Sequence, residues 1–229
     1  MTDTIIWKDG LEYEVCSSND NSSEYEYIEV DQNEYSKSIG YGTVKKFTSL
    51  GMDQVNIHIM VSQETLDFVY EVLNDRLNDE RLKDMHAIVF LGVKPKGRAA
   101  DGYHSLTSEQ YAKLVKFCLD NKFTFGFDSC SCNKFQTAIK GMNLADGMLN
   151  SMTEASEPCE SLCMSMYISV NGEMWACSFT EEEPNQSFID VTMIDDFISD
   201  VWYSDVAIEF RENSIKNNRQ CIVFPMINI

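Results

Sequence analysis

The sequence predicts an α/β protein in which parallel strands alternate with helices, followed by a small module built on a β-hairpin. Between residues 41 and 150, three short apolar runs of strand length are separated by segments with helical apolar spacing. Further along, an Asn171-Gly172 pair stands between two short apolar runs, which is a strong signal for a hairpin turn of type I′. Residues 1–40 differ from both regions, because they hold ten acidic residues against two lysines.

The predicted elements of residues 41–150 follow one another in alternation. A short helix, Tyr41–Leu50, comes first and is stopped by Gly51. The predicted strands are then Val55–Val61, Ala87–Val93 and Phe123–Phe127, and the helices that follow them are Glu64–Leu77, Tyr111–Leu119 and Lys134–Leu149. Thr107 and Gln110 have the spacing of a capping box at the start of the second of these helices. Strands separated by helices at this spacing are expected to be parallel and joined by right-handed crossovers.

Three parallel strands leave two edges that a native protein must pair or cover. The acidic segment 1–40 contains two β-prone runs, Thr4–Trp7 and Glu26–Val30, which could pair as an antiparallel patch. They are too few to supply three more parallel strands. We therefore expect either this segment or another chain to cover an edge of the sheet.

Composition and charge argue against several classes of protein. The net charge is −19, from 18 basic and 37 acidic residues, and no basic stripe is present, so binding to nucleic acid is not expected. The sequence shows no charged-then-apolar leader and no apolar run long enough to span a membrane, so a cytoplasmic protein without a membrane segment is expected. Its eight cysteines are then better interpreted as thiols or metal ligands than as disulfides.

Ligands of parallel sheets bind beyond the carboxyl ends of the strands. Ser62 follows the first predicted strand, and Lys94, Lys96 and Arg98 follow the second. The three cations could receive a carboxylate or phosphate of a substrate. The alternative is an ordinary solvated loop whose charges are neutralised by nearby acids.

The spacing of Cys159, Gly172 and Cys177 is C-x12-G-x4-C, and it resembles the start of the SPASM or twitch auxiliary-cluster domain of radical S-adenosylmethionine enzymes. Upstream, the segments 54–62, 87–98 and 125–130 resemble the later barrel strands of these enzymes, and downstream the segments 194–202, 210–211 and 221–225 resemble the closing helices and last cysteine segment. The resemblance covers about residues 41–229. It implies a partial βα barrel in residues 41–150 and a cluster-binding module in residues 151–229.

The resemblance implies a cluster ligand set of four cysteines, Cys130, Cys159, Cys177 and Cys221. Four thiolates suit a 4Fe-4S cluster or, alternatively, a zinc ion. Zinc usually uses a short-spaced pair, for which Cys159 with Cys163, or Cys130 with Cys132, would qualify. Where the fuller SPASM type has a further cysteine three positions after Cys221, this chain has Phe224, which favours one cluster over two.

The defining C-x3-C-x2-C loop of the family, which holds the cluster that cleaves S-adenosylmethionine, is absent from this sequence. The resemblance therefore implies part of a radical enzyme: the substrate side and an auxiliary cluster, with a peptide or small molecule as substrate. S-adenosylmethionine would be a cofactor only if a second polypeptide completed the barrel. The alternative is a non-catalytic iron–sulfur or zinc protein that binds partners on the same fold.

Overall fold

A computed structural model describes residues 4–8, 11–15, 27–29 and 32–227. The chain divides into two compact units, residues 1–57 with 71–86, and residues 58–70 with 87–229. The strands are β1 Thr4–Lys8, β2 Leu11–Val15, β3 Tyr27–Glu29, β4 Asn56–Val61, β5 Ala87–Gly92, β6 Phe125–Phe127, β7 Tyr167–Ile168, β8 Glu173–Trp175 and β9 Ile189–Asp190. The α-helices are α1 Gln32–Ser49, α2 Leu66–Asn78, α3 Ser108–Asp120, α4 Cys132–Lys140, α5 Asp146–Glu154 and α6 Asp205–Lys216. None of the helices in the described residues is long and apolar enough to cross a membrane.

The first unit begins with an antiparallel sheet in the order β1-β2-β3. The two β-prone runs predicted near the N-terminus are strands, but each pairs with β2 and they do not pair with each other. β2 was not predicted, because its two glutamates break the apolar character of the run. These strands form a sheet of their own and are not part of the parallel sheet.

Helix α1 begins at Gln32, nine residues before the predicted start at Tyr41. Gly40, directly before the predicted start, lowers helix propensity there, and this favoured a shorter helix in the prediction. Ion pairs offset this cost: the Nζ atom of Lys37 lies 2.7 Å from a carboxylate oxygen of Glu34 and 3.3 Å from one of Asp75 in α2. The buried Tyr41 also donates its hydroxyl to Asp75, at 2.9 Å.

The second unit contains the predicted parallel sheet, in the order β4-β5-β6. Its three strands match the predicted ones to within two residues at each end. Phe125 and Phe127 of β6 pack against a buried cluster of Val115, Phe135 and Ile139, contributed by α3 and α4. The parallel α/β arrangement is therefore confirmed, while a closed barrel is not seen in the described residues.

The capping box at α3 is confirmed. The Gln110 amide donates to the hydroxyl of Thr107 at 3.2 Å, and the Thr107 amide donates to the side chain of Gln110 at 2.8 Å. The single helix predicted for residues 134–149 is wrong, because the chain forms α4 and α5 with a break after Gly141. In the break, Met142 and Leu144 turn inward and pack against the apolar cluster under the sheet.

The C-terminal module is a second antiparallel sheet, in the order β7-β8-β9, and α6. The predicted hairpin is present, but its turn is not of type I′. The Ser169 amide donates to the Glu173 carbonyl at 2.9 Å and the Gly172 amide to the Ser169 carbonyl at 3.0 Å, with only Gly172 of the three loop residues at positive φ, +80°. This is the pattern of a three-residue loop, in which a turn is followed by one left-handed residue.

Candidate metal centre

The four cysteines predicted from the resemblance lie around one cavity of about 160 Å³. They come from four separate segments of the second unit. Cys130 follows β6, Cys159 follows α5, Cys177 follows β8 and Cys221 follows α6. The parallel sheet and the C-terminal module therefore both contribute to this four-cysteine cavity.

Cys130 is positioned by a short 3₁₀ turn, Ser129–Ser131, that Asp128 caps. The Asp128 carboxylate accepts hydrogen bonds from the Ser131 amide at 3.1 Å, the Ser131 hydroxyl at 2.5 Å and the Gly92 amide at 3.2 Å. Lys94 forms an ion pair with the same carboxylate, and both side chains are largely buried. The turn that carries Cys130 is thereby fixed to the carboxyl end of β5.

Arg219 ties the segment of Cys159 to the segment of Cys221. Its guanidinium donates to the carbonyl of Cys159 at 2.9 Å and to that of Pro158 at 3.3 Å, while the Cys159 amide donates to the Arg219 carbonyl at 3.2 Å. Asn218 and Arg219 both have positive φ, 53° and 54°. Two successive left-handed residues that are not glycine are costly, and such strain is concentrated at functional sites.

Local hydrogen bonds hold Cys177 and engage the sulfur of Cys221. The Cys177 amide donates to the hydroxyl of Thr180 at 3.1 Å, and that hydroxyl donates to the Cys177 carbonyl at 2.7 Å. The Phe224 amide donates to the sulfur of Cys221 at 3.3 Å. Hydrogen bonds from backbone amides to cysteine sulfur are a usual feature of metal–thiolate sites, where they tune the metal.

The thiols influence one another electrostatically. Burial raises the pKa of Cys130 to about 12; Lys94 acts in the opposite direction, and Asp128, Cys159 and Cys221 add to the rise. Burial also raises the pKa of Cys221; backbone amides act against it, and Cys159 and Cys177 add to it. Such an apolar group of thiols favours the protonated state on its own. A bound cation reverses this, since metal coordination deprotonates thiols.

The three other cysteines in the described residues, Cys118, Cys132 and Cys163, do not line this cavity. Cys118 and Cys132 are buried, the first within α3 and the second at the start of α4. Cys163 is partly buried, and neither it nor Cys132 lines the four-cysteine cavity. Among the described residues, no three His, Cys, Asp or Glu side chains already converge closely enough to hold a metal ion. The four cysteines thus line a cavity, but their side chains do not converge on a single point.

The predicted substrate-binding residues have protein partners where their side chains are described. Lys94 pairs with Asp128, and its Nζ atom lies 5.3 Å from the centre of the Phe179 ring. Lys96 donates to the Phe179 carbonyl at 3.1 Å and to the Glu181 carbonyl, and pairs with Glu183 at 3.4 Å.

The remaining two predicted substrate-binding residues are Ser62 and Arg98. Ser62 is buried, and its hydroxyl accepts from the Thr65 amide at 3.1 Å in the turn before α2. Arg98 lies in the 3₁₀ turn Gly97–Ala99, and its side chain lies outside the described parts of the chain. Binding of a substrate anion by Ser62, Lys94, Lys96 and Arg98 stays a prediction.

Sequence reasoning missed three residues that position the cysteines: Asp128, Thr180 and Arg219. A signal was available for the first, because Asp128 and Ser131 have the spacing of a side-chain cap around Cys130. Thr180 stands three residues after Cys177, which is the spacing of a Thr turn. Nothing local to Arg219 indicates its contact with Cys159, which joins residues 60 positions apart.

No family model matches the chain, and no curated protein matches it. Two solved structures resemble it, both of SuiB from Streptococcus suis, at 14% sequence identity. SuiB alone gives a TM-score of 0.47 over 75% of this chain and 39% of SuiB. SuiB bound to precursor peptide SuiA gives 0.50 over 84% and 43%. The chain thus spans about two fifths of the length of SuiB, and the second likeness shows a similarity in fold over that part.

Proposed function

We propose that this chain is an iron–sulfur protein on a partial radical S-adenosylmethionine-like fold, and that Cys130, Cys159, Cys177 and Cys221 hold one auxiliary 4Fe-4S cluster. The observation that carries the proposal is that these four thiols, from four separate segments, line a single cavity. Four cysteine thiolates are the usual ligand set of such a cluster.

The size of the cavity favours a cluster over zinc. About 10–15 Å³ of such volume holds one water molecule, so a cavity of about 160 Å³ has room for a group of several atoms. A structural zinc ion would instead draw all four sulfur atoms to about 2.3 Å from one point. The short-spaced pairs that zinc favours would need Cys132 or Cys163, and both lie outside the cavity.

The surrounding residues fit a negatively charged group of thiolates. The Phe224 amide donates to the sulfur of Cys221, and the Lys94 ammonium lies close enough to Cys130 to favour its deprotonated form. Arg219 holds the backbone of Cys159 in place. When bound, an auxiliary cluster supplies one-electron chemistry or an iron atom for substrate binding.

We further propose a peptide as the substrate class. The support is the similarity in fold to SuiB, which has been solved with a precursor peptide bound. Because the sequence lacks a C-x3-C-x2-C loop, S-adenosylmethionine would be cleaved by a second polypeptide that carries this loop. The second candidate function is a non-catalytic scaffold on the same fold, with iron–sulfur or zinc in the cavity.

The test is the metal content of the protein after anaerobic purification and reconstitution with iron and sulfide. We expect about four iron and four sulfide per chain, with the absorption of a cluster. Stoichiometric zinc with no iron would reject the iron–sulfur proposal in favour of a zinc scaffold. Absence of both metals would reject the metal centre.

A further inference from the structure

The second unit contains a larger apolar groove, of about 590 Å³, beside strand β6. Phe125, Phe127 and Phe135 form its base, on the face of the sheet that α3 and α4 cover. One face of α5 forms its wall, with Gly147, Ser151 and Ala155 at successive turns. The short side chains of these three residues fill little of the space between α5 and the strand, and this leaves the groove open.

Strand β6 is at the edge of its sheet and offers unpaired backbone groups to this groove. The Ile88 amide donates to the Thr124 carbonyl and the Asp128 amide to the Phe90 carbonyl, both at 3.1 Å. In this parallel register, alternate residues of β6 point at β5, so the amides and carbonyls of Phe125 and Phe127 point outward. Within the part of the chain that the structure describes, they have no partner and β6 has no second neighbour.

An exposed sheet edge is satisfied by an extended segment, which pairs its own amides and carbonyls with those of the edge. Alternate side chains of an added strand lie on one face of the sheet. On β6, that face is the one that carries the side chains of Phe125 and Phe127 and the groove. A compact ligand could fill the apolar volume, but it would leave the backbone groups of the edge unpaired.

The charge at the groove indicates the kind of segment. Glu157 is the charged residue of its described lining, and Asp146 and Glu154 are exposed on α5. The whole chain has a net charge of −19. We propose that the groove binds an extended peptide by strand addition to β6, and that this peptide has apolar residues at alternate positions and flanking basic residues.

The groove and the four-cysteine cavity share two segments of the chain, residues 130–132 and 157–159. Cys132 and Glu157 line the groove, while Cys130 and Cys159, each two residues away, line the cavity. A peptide on β6 is thereby held next to the candidate metal centre. This inference deepens the proposed function and rests on it for the role of the peptide as substrate, whereas binding to the edge does not require a cluster.

The test uses a fluorescent synthetic peptide that alternates valine and threonine between terminal lysines, titrated into the full chain and followed by anisotropy. The same peptide with N-methyl groups on alternate residues is the control, because methylation removes the amide donors and keeps the side chains. Ser151→Leu fills the groove, and Asn150→Leu is its matched control, since Asn150 is exposed on α5 outside the groove.

We expect saturable binding of the unmethylated peptide, loss of binding on methylation, and at least about tenfold weaker binding to Ser151→Leu, with Asn150→Leu unchanged. No binding, equal binding of the methylated peptide, or equal binding by both variants would overturn the proposal. Dimerisation through β6 would also overturn the proposal. In that case the wild-type chain would be a dimer in the absence of peptide, and Ser151→Leu would convert it to a monomer. Iron content is measured in the same samples after anaerobic reconstitution with iron and sulfide. Peptide binding by protein that takes up no iron would reject the cluster and leave the groove proposal intact.

Discussion

Asp128 is the residue on which the geometry around Cys130 depends. Its carboxylate accepts three hydrogen bonds and pairs with Lys94 in a largely buried position. Removal of one partner of a buried ion pair leaves the other charge uncompensated, which is far more costly than the loss of an exposed pair. The turn that presents Cys130 is therefore rigid before any metal binds.

Gly92 allows this turn to approach β5. A Cβ atom placed on Gly92 would lie 2.3 Å from the hydroxyl oxygen of Ser131, so Gly92→Ala must displace that hydroxyl, which donates to Asp128 in the cap of the turn. We expect Gly92→Ala to lower the free energy of unfolding by about 1–3 kcal/mol, measured by chemical denaturation. Iron incorporation should fall with it, because the cap that positions Cys130 is weakened.

The matched control is Gly126→Ala in the neighbouring strand β6. A Cβ atom there would meet nothing within 4 Å, so a change of no more than about 1 kcal/mol is expected. Equal effects of the two substitutions would show that the contact between Gly92 and Ser131 does not fix the turn.

The residues of the candidate site were predictable to different degrees. Cys159 and Cys177 were found because their spacing around Gly172 resembles a known pattern, and Cys130 and Cys221 because segments 125–130 and 221–225 resemble the same family. The contacts that hold them, such as Arg219 to Cys159 and Lys94 to Asp128, join residues that are distant in sequence and leave no local signal. Lys94 and Lys96 stood out as cations in an acidic chain, and the structure gives both of them protein partners.

At the scale of elements, the β7–β8 hairpin is what carries Cys177 to the cavity. Its turn depends on Gly172 for two reasons. Gly172 has a φ of +80°, which favours glycine, and it lies against the neighbouring turn after β9. A Cβ atom on Gly172 would lie 2.6 Å from the methyl carbon of Thr192. Both the backbone conformation at Gly172 and its packing against Thr192 therefore fix the conformation of the hairpin.

We expect Gly172→Ala to lower the free energy of unfolding by about 1–3 kcal/mol, because alanine is strained at positive φ and clashes with Thr192. Adding Thr192→Ser removes the methyl group but keeps the hydroxyl that donates to Asp190 at 2.6 Å. The double variant should thus recover part of the loss in chemical denaturation. No recovery would mean that the clash contributes nothing and that backbone strain alone accounts for the loss.

Strands and capped helices with strong local patterns were predicted well, and breaks decided by packing were not. The three parallel strands and the capping box of α3 follow from apolar runs and from the spacing of Thr107 and Gln110. The break between α4 and α5 arises because Met142 and Leu144 are pulled into the core. The short strand β9 pairs with β8 across a loop and has too few residues to show a pattern.

For the whole molecule, the parallel sheet of three strands ends at an open edge in the described residues, and the likeness to SuiB covers about two fifths of that protein. In the function that we propose, the chain is the part of a radical S-adenosylmethionine-like fold that carries an auxiliary cluster and a peptide groove. The part that would cleave S-adenosylmethionine has no counterpart among its sequence motifs.

We expect the chain, purified alone and chemically reduced, to release no 5′-deoxyadenosine from S-adenosylmethionine. Reductive cleavage needs an iron atom held by three closely spaced thiolates with an open position, and Cys16 is the one cysteine before the region of resemblance. An active radical enzyme assayed in parallel is the control. Product formed by the pure chain and abolished by Cys16→Ala would contradict this expectation.

The most direct test of the central claim is the iron content of single cysteine variants reconstituted under identical anaerobic conditions. We expect Cys130→Ala, Cys159→Ala, Cys177→Ala and Cys221→Ala each to lose most of the iron, because each removes one of the four ligands. Cys118→Ala, which removes a buried thiol of α3, and Cys163→Ala should keep the wild-type iron content. Equal iron in all six variants, or a loss confined to Cys163→Ala, would contradict the assignment of these four cysteines as the ligands of one cluster.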